Sequence, residues 1–439
     1  MKAREPKIKV ALLQDTQKAQ INLHGDYFLA GDTALTGKIT AEISEGHIRF
    51  KDKQGRTLGK KNEIFLAAAN QASFTIPQVK IGIGFHWQQN QEQTFYGDIL
   101  LSSAGPKTFH LINIVLLEDY LASVISSEMS AYAHPEFLKA QAVAARSWLM
   151  AMLEKKKIPR KTRQAKNKNE IIVWQDVNDH KLFDVCADDH CQRYQGITKI
   201  ISANAKKAIE ETRGLFLASE GKICDARYYK CCGGQTEIFS TAWEDISLPY
   251  LQSVTCADVA REPLSSEDDA QEWLTAKPPA FCNTQDVEIL KKILPTFDRQ
   301  TADFYRWRVC YTREELEEIL KKKSGIDFGQ LQSIEPLARG TSGRIYKLKI
   351  VGAKKTVIVG KELEIRRWLS PTHLLSSAFV VSIEKNHDAT ISKFIFHGGG
   401  WGHGVGLCQI GAAVMAEKGK SAAEILAHYF PGAILQKLY

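Results

Sequence analysis

The residues of this chain that could do chemistry lie in four short stretches. The first is LLEDYLASVISSEM, residues 116–129. Leu117, Leu121, Val124, Ile125 and Glu128 fall at i, i+4, i+7, i+8 and i+11, so on a 3.6-residue period Glu128 continues an apolar stripe. A carboxylate there is either desolvated or faces a cleft, and desolvation raises its pKa and suits a general acid near neutral pH. The other reading is a helix that has already ended, with Glu128 solvated at its C-terminus. In the next helix Pro135 suits the first position and Glu136 the positive N-terminal end. Lys139 and Arg146, seven residues apart, share one face of it. Two such cations either hold a polar or anionic substrate beside Glu128 or are simply solvated.

The second stretch, HKLFDVCADDHC (180–191), offers His180, Cys186, His190 and Cys191. Two thiolates and two imidazoles make a tetrahedral zinc shell, with Asp188 and Asp189 available around it. The spacing is not that of a zinc finger. Adjacent His190 and Cys191 point apart on an extended chain, so joint ligation requires a turn. A pair of buried thiols and a Cys186–Cys191 disulfide are the alternatives.

The third stretch, YYKCCGGQTE (228–237), joins Tyr228 and Tyr229 to Cys231, Cys232 and a Gly-Gly turn. One of these thiols with a distant His403 would make a Cys–His peptidase, although adjacent thiols and a tight turn fit a packed wall as well. The fourth, HGGGWGHGVGLCQIGAAVMAEKG (397–419), lacks both the phosphate-loop and the dinucleotide glycine pattern. Its backbone must come very close to something, with Trp401, His403 and Gln409 displayed from it. A flat aromatic beside hydrogen-bonding groups suits a sugar ring.

The elements that must position these groups follow from patterning. Residues 1–115 read mostly as strands, among them IKVALLQ, FTIPQVKIGIGF and FHLINIVLL. A helical region spans about 117–153, and the second helix carries a seam of Leu138, Ala142, Ala145, Leu149 and Met152 whose alanines permit close packing. SANAKKAIEETRG (202–214) reads as a helix ended by Gly214. Residues 257–330 are charge-rich, with helical EDDAQEWL and REELEEILKKKSG, and read as an insertion or lid projecting from the rest. Strands return at 344–367. The expected fold class is α+β: a β-rich part at 1–115, a helical block with the Cys/His cluster at 116–256, the mixed insertion at 257–330 and a closing part at 331–439.

The chain has 439 residues, with 58 basic and 50 acidic side chains and a net charge of +8. The run KKKIPRKTRQAKNK (155–168) holds eight basic residues and no acid, which equals the whole excess. The remainder is near neutral, so a nucleic-acid partner is not expected. The run reads as a solvated loop or a contact for an acidic polymer. No apolar run approaches the ~18–20 residues of a membrane span. Nine cysteines, an odd number without the spacing of a small stapled domain, fit thiols or metal ligands better than a disulfide framework.

Three blocks together resemble the SpoIID/LytB family, the stage II sporulation protein D and amidase-enhancer group. They are LEDYLASVISSEMSAYAHPEFLKAQAVAARSW (117–148), the YYKCCGGQTE…WEDI…PYL region (228–251), and GRIYKLKI…HGGGWGHGVGLCQIGAAVMAEKG…AEILAHYFPG (343–432). The resemblance implies a lytic transglycosylase that acts on peptidoglycan glycan strands stripped of stem peptides. Its catalytic residue would be Glu128, in the Glu128-Met129 pair. Lys139, Arg146, Tyr229, Trp401, His403 and Gln409 would contact substrate. The family's zinc cluster maps onto His180, Cys186, His190 and Cys191 as a structural site. The alternative is a glycan-binding protein without catalysis that recruits or enhances a cell-wall amidase. This sequence departs from the family where Cys231 and Cys232 replace small hydroxyl residues and where Cys408 replaces a serine or similar residue. The family is usually extracytoplasmic, whereas MKAREPKIKV shows no export signal, which brings a cytoplasmic role such as cell-wall recycling into view.

Overall fold

The structure is a computed structural model that describes residues 4–29, 33–83, 88–156, 163–167, 169–174, 180–295, 298 and 303–439. Of the basic run, residues 157–162 and 168 lie outside the described residues. The chain is α+β and divides into two compact units. One comprises Met1–Ala133, Val177–Leu215 and Lys437–Tyr439; the other comprises His134–Asp176 and Phe216–Gln436.

The first unit is built on an eleven-stranded sheet. Alternation sets its inner face: in the strand Lys7–Thr16, Ile8 and Val10 are fully buried between exposed Lys7 and Lys9. That strand pairs antiparallel with Phe109–Leu116 and, on its other edge, parallel with the two-residue strand Val185–Cys186. The helix α1, Leu117–Glu128, starts directly where Phe109–Leu116 ends. Its stripe of Leu117, Leu121, Val124 and Ile125 is fully buried, and α1 packs on both long strands and on the helix Ala203–Glu211. Ser202 caps that last helix by accepting from the Asn204 N–H, and Gly214 follows at φ 69°.

The second unit is organised around α2, Pro135–Lys156. It begins at Pro135, and the seam residues Leu138, Ala142, Ala145 and Leu149 are fully buried. The helices Gln409–Glu417 and Ala422–Tyr429 pack against α2. Glu136 ties this contact: one carboxylate oxygen takes the N–H of Ala422 at 2.8 Å, the other the Lys139 ammonium at 2.7 Å. A five-stranded sheet runs in the order Arg163–Lys166, Glu170–Trp174, Thr356–Gly360, Ile345–Gly352, Leu331–Arg339. Part of the basic run is therefore a strand, and Lys155 forms an ion pair with Asp225 at 2.6 Å. Residues 362–368, within the stretch read as strands, form a helix.

Residues 257–330 are built into the second unit. The strand Arg306–Thr312 pairs antiparallel with Ile391–Gly399. The helix Arg313–Ser324 opens on a Thr312/Glu315 capping box, closes on Gly325 at φ 73°, and puts Leu316 and Leu320 into a hydrophobic core cluster with Ile345, Leu348, Trp368 and Phe394. The charges that make this segment look like a projecting lid are its solvent face. Among the described residues no helix is long and apolar enough to cross a membrane.

Candidate active site and metal-binding cluster

In the first unit, Glu128 is the last residue of α1 and is half-buried, at the end of the stripe its spacing predicts. Segment 192–195 lies along one face of that helix. Tyr120 donates its hydroxyl to Oε1 of Gln192 at 2.9 Å, and Ser123 Oγ accepts the Gln195 N–H at 3.1 Å. One turn further on, Glu128 Oε1 accepts the Arg193 N–H at 2.9 Å. The Arg193 guanidinium is almost wholly buried; it donates to the Ser127 carbonyl at 3.3 Å and to Asp189 Oδ1 at 2.9 and 2.6 Å. A cation on the C-terminal carbonyls of a helix meets their partial negative charge. Residues 192–195 escaped the sequence reading. The available signal was Ser123, whose hydroxyl holds the Gln195 N–H, whereas Ser127 contributes its backbone carbonyl, which no residue type announces.

The same segment is the exit of the His/Cys cluster. Cys186 is buried, held at the sheet edge by the register of Ala11 with Cys186. The chain then turns, with the Cys191 N–H on the Asp188 carbonyl at 3.0 Å, and this brings His190 and Cys191 back together. One donor atom from each of His180, Cys186, His190 and Cys191 lies within 4.8 Å of the others. His180 Nε2 is 3.3 Å from Cys191 Sγ, and His190 Nδ1 is 3.5 Å from Cys191 Sγ and 3.9 Å from Cys186 Sγ. A tetrahedral zinc with bonds of about 2.3 Å to sulfur and about 2.0–2.1 Å to nitrogen separates such ligands by about 3.5 Å. The donor set and its spacing fit that ion. Hydrogen bonding from Cys191, then from His180 and His190, holds the Cys186 thiol far below its ordinary range against the opposing effect of burial. Asp188 accepts the N–H groups of Gly82 and Ile83, and Asp189 holds Arg193.

In the second unit, the two glycine turns meet. Trp401 and Cys231 exchange backbone hydrogen bonds at 2.8 and 3.1 Å. At Gly400, φ 76°, a Cβ would sit 2.8 Å from the carbonyl oxygens of both Cys231 and Cys232, so only glycine lets the strands touch. The close approach implied by the glycines is thus to the other glycine turn. Trp401 is half-buried, with one face stacked on Phe304 at 5.1 Å. Tyr229 is buried, in register with Cys408, and its hydroxyl has no hydrogen-bond partner among the described residues. Gln409 is buried at the start of its helix. On α2, Lys139 is ion-paired with Glu136, while Arg146 has no exposed surface and lies 6.0 Å over the Phe216 ring.

His403 uses both ring nitrogens: Nδ1 accepts the Val405 N–H at 3.1 Å, which leaves Nε2 to donate to the Tyr228 carbonyl at 3.1 Å. Burial, and then the nearby Arg227, Arg366 and Arg344, hold it well below the ordinary histidine pKa. Its ring sits 5.1 Å from Tyr229 and 4.7 Å from Trp243, which itself carries the Arg227 guanidinium at 3.9 Å. Burial pushes the Cys231 thiol well up. A neutral imidazole with both nitrogens engaged and a thiol that resists ionisation make a wall and not a Cys–His pair.

Residues 106–218, which carry α1, α2 and the His/Cys cluster, match the family described as Stage II sporulation protein. Residues 237–406 match a second family, described as a domain of unknown function. A Stage II sporulation protein D of Bacillus amyloliquefaciens is 26% identical over 325 residues, 74% of this chain and 75% of the relative. An uncharacterized protein of Brachyspira hyodysenteriae is 26% identical over 84% of this chain and 82% of its own length. An Amidase enhancer of Bacillus subtilis (strain 168) is 26% identical over 72% of this chain but only 40% of the relative. With the Glu128 helix, the clustered His/Cys quartet and the joined glycine turns in place, the chain is similar to the Stage II sporulation protein D and Amidase enhancer proteins of the SpoIID/LytB family over about three quarters of its length.

Proposed function

We propose that this protein acts on the cell wall, and that it cleaves peptidoglycan glycan strands as a lytic transglycosylase with Glu128 as its single general acid and base. The observation that carries the reading is the fixed position of Glu128, a half-buried carboxylate at the end of α1 whose Oε1 is held by the Arg193 N–H. Ordinary glycosidases need a second carboxyl to activate water or attack the sugar. A transglycosylase does not. Protonated Glu128 gives its proton to the glycosidic oxygen between MurNAc and GlcNAc as the C1–O bond breaks. The resulting carboxylate takes the proton of the sugar's own C6 hydroxyl as O6 bonds to C1, which closes a 1,6-anhydro ring and returns the acid.

His180, Cys186, His190 and Cys191 would hold a zinc ion in a closed, structural role, cross-linking the segment that leads to Arg193. Tyr229, Trp401, His403 and Gln409 form the aromatic and polar wall of the second unit assigned to the glycan, of which Trp401 and His403 keep accessible surface. Lys139 joins them as the partly exposed cation of α2, and Arg146, without exposed surface, supports that helix from inside.

The relative named Amidase enhancer favours a second reading, in which the protein binds glycan and stimulates a cell-wall amidase without cutting. Incubation with glycan strands stripped of peptides, followed by mass spectrometry, separates them. Anhydro-MurNAc ends support the transglycosylase. Reducing ends mean a hydrolase, and bound but intact strands mean the enhancer.

A further inference from the structure

Outside the site described above, four cysteines converge inside the second unit. We propose that Cys232, Cys256, Cys282 and Cys408 form a tetrathiolate site for one zinc ion, a second metal centre distinct from the His/Cys cluster. Their sulfur atoms all lie within 4.8 Å of one another, with Cys232 and Cys282 at 3.4 Å. All four side chains are buried. Zinc–sulfur bonds of about 2.3 Å set a tetrahedral edge of about 3.8 Å. A four-iron cluster interposes iron and sulfide between its cysteines, so it holds their sulfurs further apart than a single ion does. Four soft sulfur donors with no imidazole or carboxylate among them select zinc over magnesium, calcium or manganese.

A second observation points the same way. Hydrogen-bond donors are aimed at the sulfurs, as around bound thiolates. The Cys232 N–H points at Cys408 Sγ at 3.2 Å and the Gly234 N–H at Cys232 Sγ at 3.3 Å, while the Tyr429 hydroxyl is 3.1 Å from Cys256 Sγ. Gly411 makes room for the thiol itself: a Cβ there would lie 2.5 Å from Cys256 Sγ. The ligands come from four segments: the first glycine turn, the strand-like stretch at Thr255, the charged insertion, and Cys408 at the start of the helix Gln409–Glu417. An ion there would cross-link the insertion to both glycine turns.

The test counts metal and does not read activity, so it stands or falls apart from the glycan reading. Zinc per chain is measured on purified protein by elemental analysis, alongside intact mass after alkylation under denaturing, non-reducing conditions. Cys282→Ser is expected to lose one equivalent of zinc relative to the unaltered protein, and four free thiols of the quartet should be alkylated in the latter once metal is removed. Should Cys282→Ser fail to fold, Cys186→Ser serves: with the first cluster broken, the chain should still bind one cobalt(II) ion with the intense thiolate-to-metal charge transfer of a four-sulfur site. Equal zinc in the unaltered protein and Cys282→Ser, a Cys232–Cys282 disulfide in the intact mass, or no cobalt bound by Cys186→Ser would each overturn the site.

Discussion

The backbone N–H of Arg193 donates to Oε1 of Glu128 across 2.9 Å, and Arg193 stands two residues after the cluster residue Cys191. The candidate acid and the candidate metal centre of the first unit are therefore joined by a three-residue stretch of chain. Glu128→Gln keeps an oxygen to accept that N–H and removes only the exchangeable proton. It is expected to fold with an unchanged melting temperature and to lose about 10²–10⁴-fold in anhydro-MurNAc formation. Product quantification by mass spectrometry checks it, and activity near that of the unaltered protein would remove Glu128 from the mechanism.

The same linkage predicts that the His/Cys cluster affects the rate of the proposed cleavage. Cys191→Ser should lower zinc content and reduce glycan cleavage by about 10–100-fold, the usual consequence of disturbing groups that orient a site. Melting temperature should fall as well, because the binding energy of an ion held in a structural role is folding energy. Chelation of the unaltered protein should reproduce both effects. Unchanged stability after complete removal of zinc would argue against a structural ion.

His403 is half-buried and held neutral, so folding depresses its pKa below the ~6.5 of an exposed histidine. Protonation of the unfolded chain then costs stability as pH falls below about 6.5, and full stability is present above it. His403→Gln should flatten this slope while costing about 1–3 kcal/mol at neutral pH through the lost hydrogen bonds. Thermal melts between pH 5 and 8 measure both. The pH dependence of glycan cleavage itself should not shift, which a role as catalytic base would require.

Asp225 is buried against Arg227, at 2.8 Å, and Lys155, at 2.6 Å. Burial alone would raise its carboxyl; the two cations overcome this and hold it at about 2. The stabilisation is therefore fully present above the unfolded value of about 4 and is lost as pH falls towards 2. Asp225→Asn leaves Arg227 and Lys155 without their shared anion and should cost about 3–5 kcal/mol at neutral pH. In urea melts the deficit relative to the unaltered protein should shrink between about pH 4 and 2. A constant deficit across that range would mean that packing, not charge, is lost.

What was legible in the sequence is what depends on neighbours along the chain. Alternating residues marked the strands of the first unit, the 3.6-residue stripe brought Glu128 to the end of α1, and Pro135 marked the start of α2. His180, Cys186, His190 and Cys191 were readable as a candidate cluster because one turn of chain suffices to gather them. The tertiary structure decided the rest, because those contacts join segments far apart in sequence. No local period ties Arg193 to Glu128, and nothing near Cys231 and Cys232 foretells the glycine turn at 400 or the thiols at 282 and 408. The charged segment 257–330 shows the same limit. Its solvent face dominates its composition, while Leu316, Leu320, Phe304 and Cys282 find their partners only when the chain has folded.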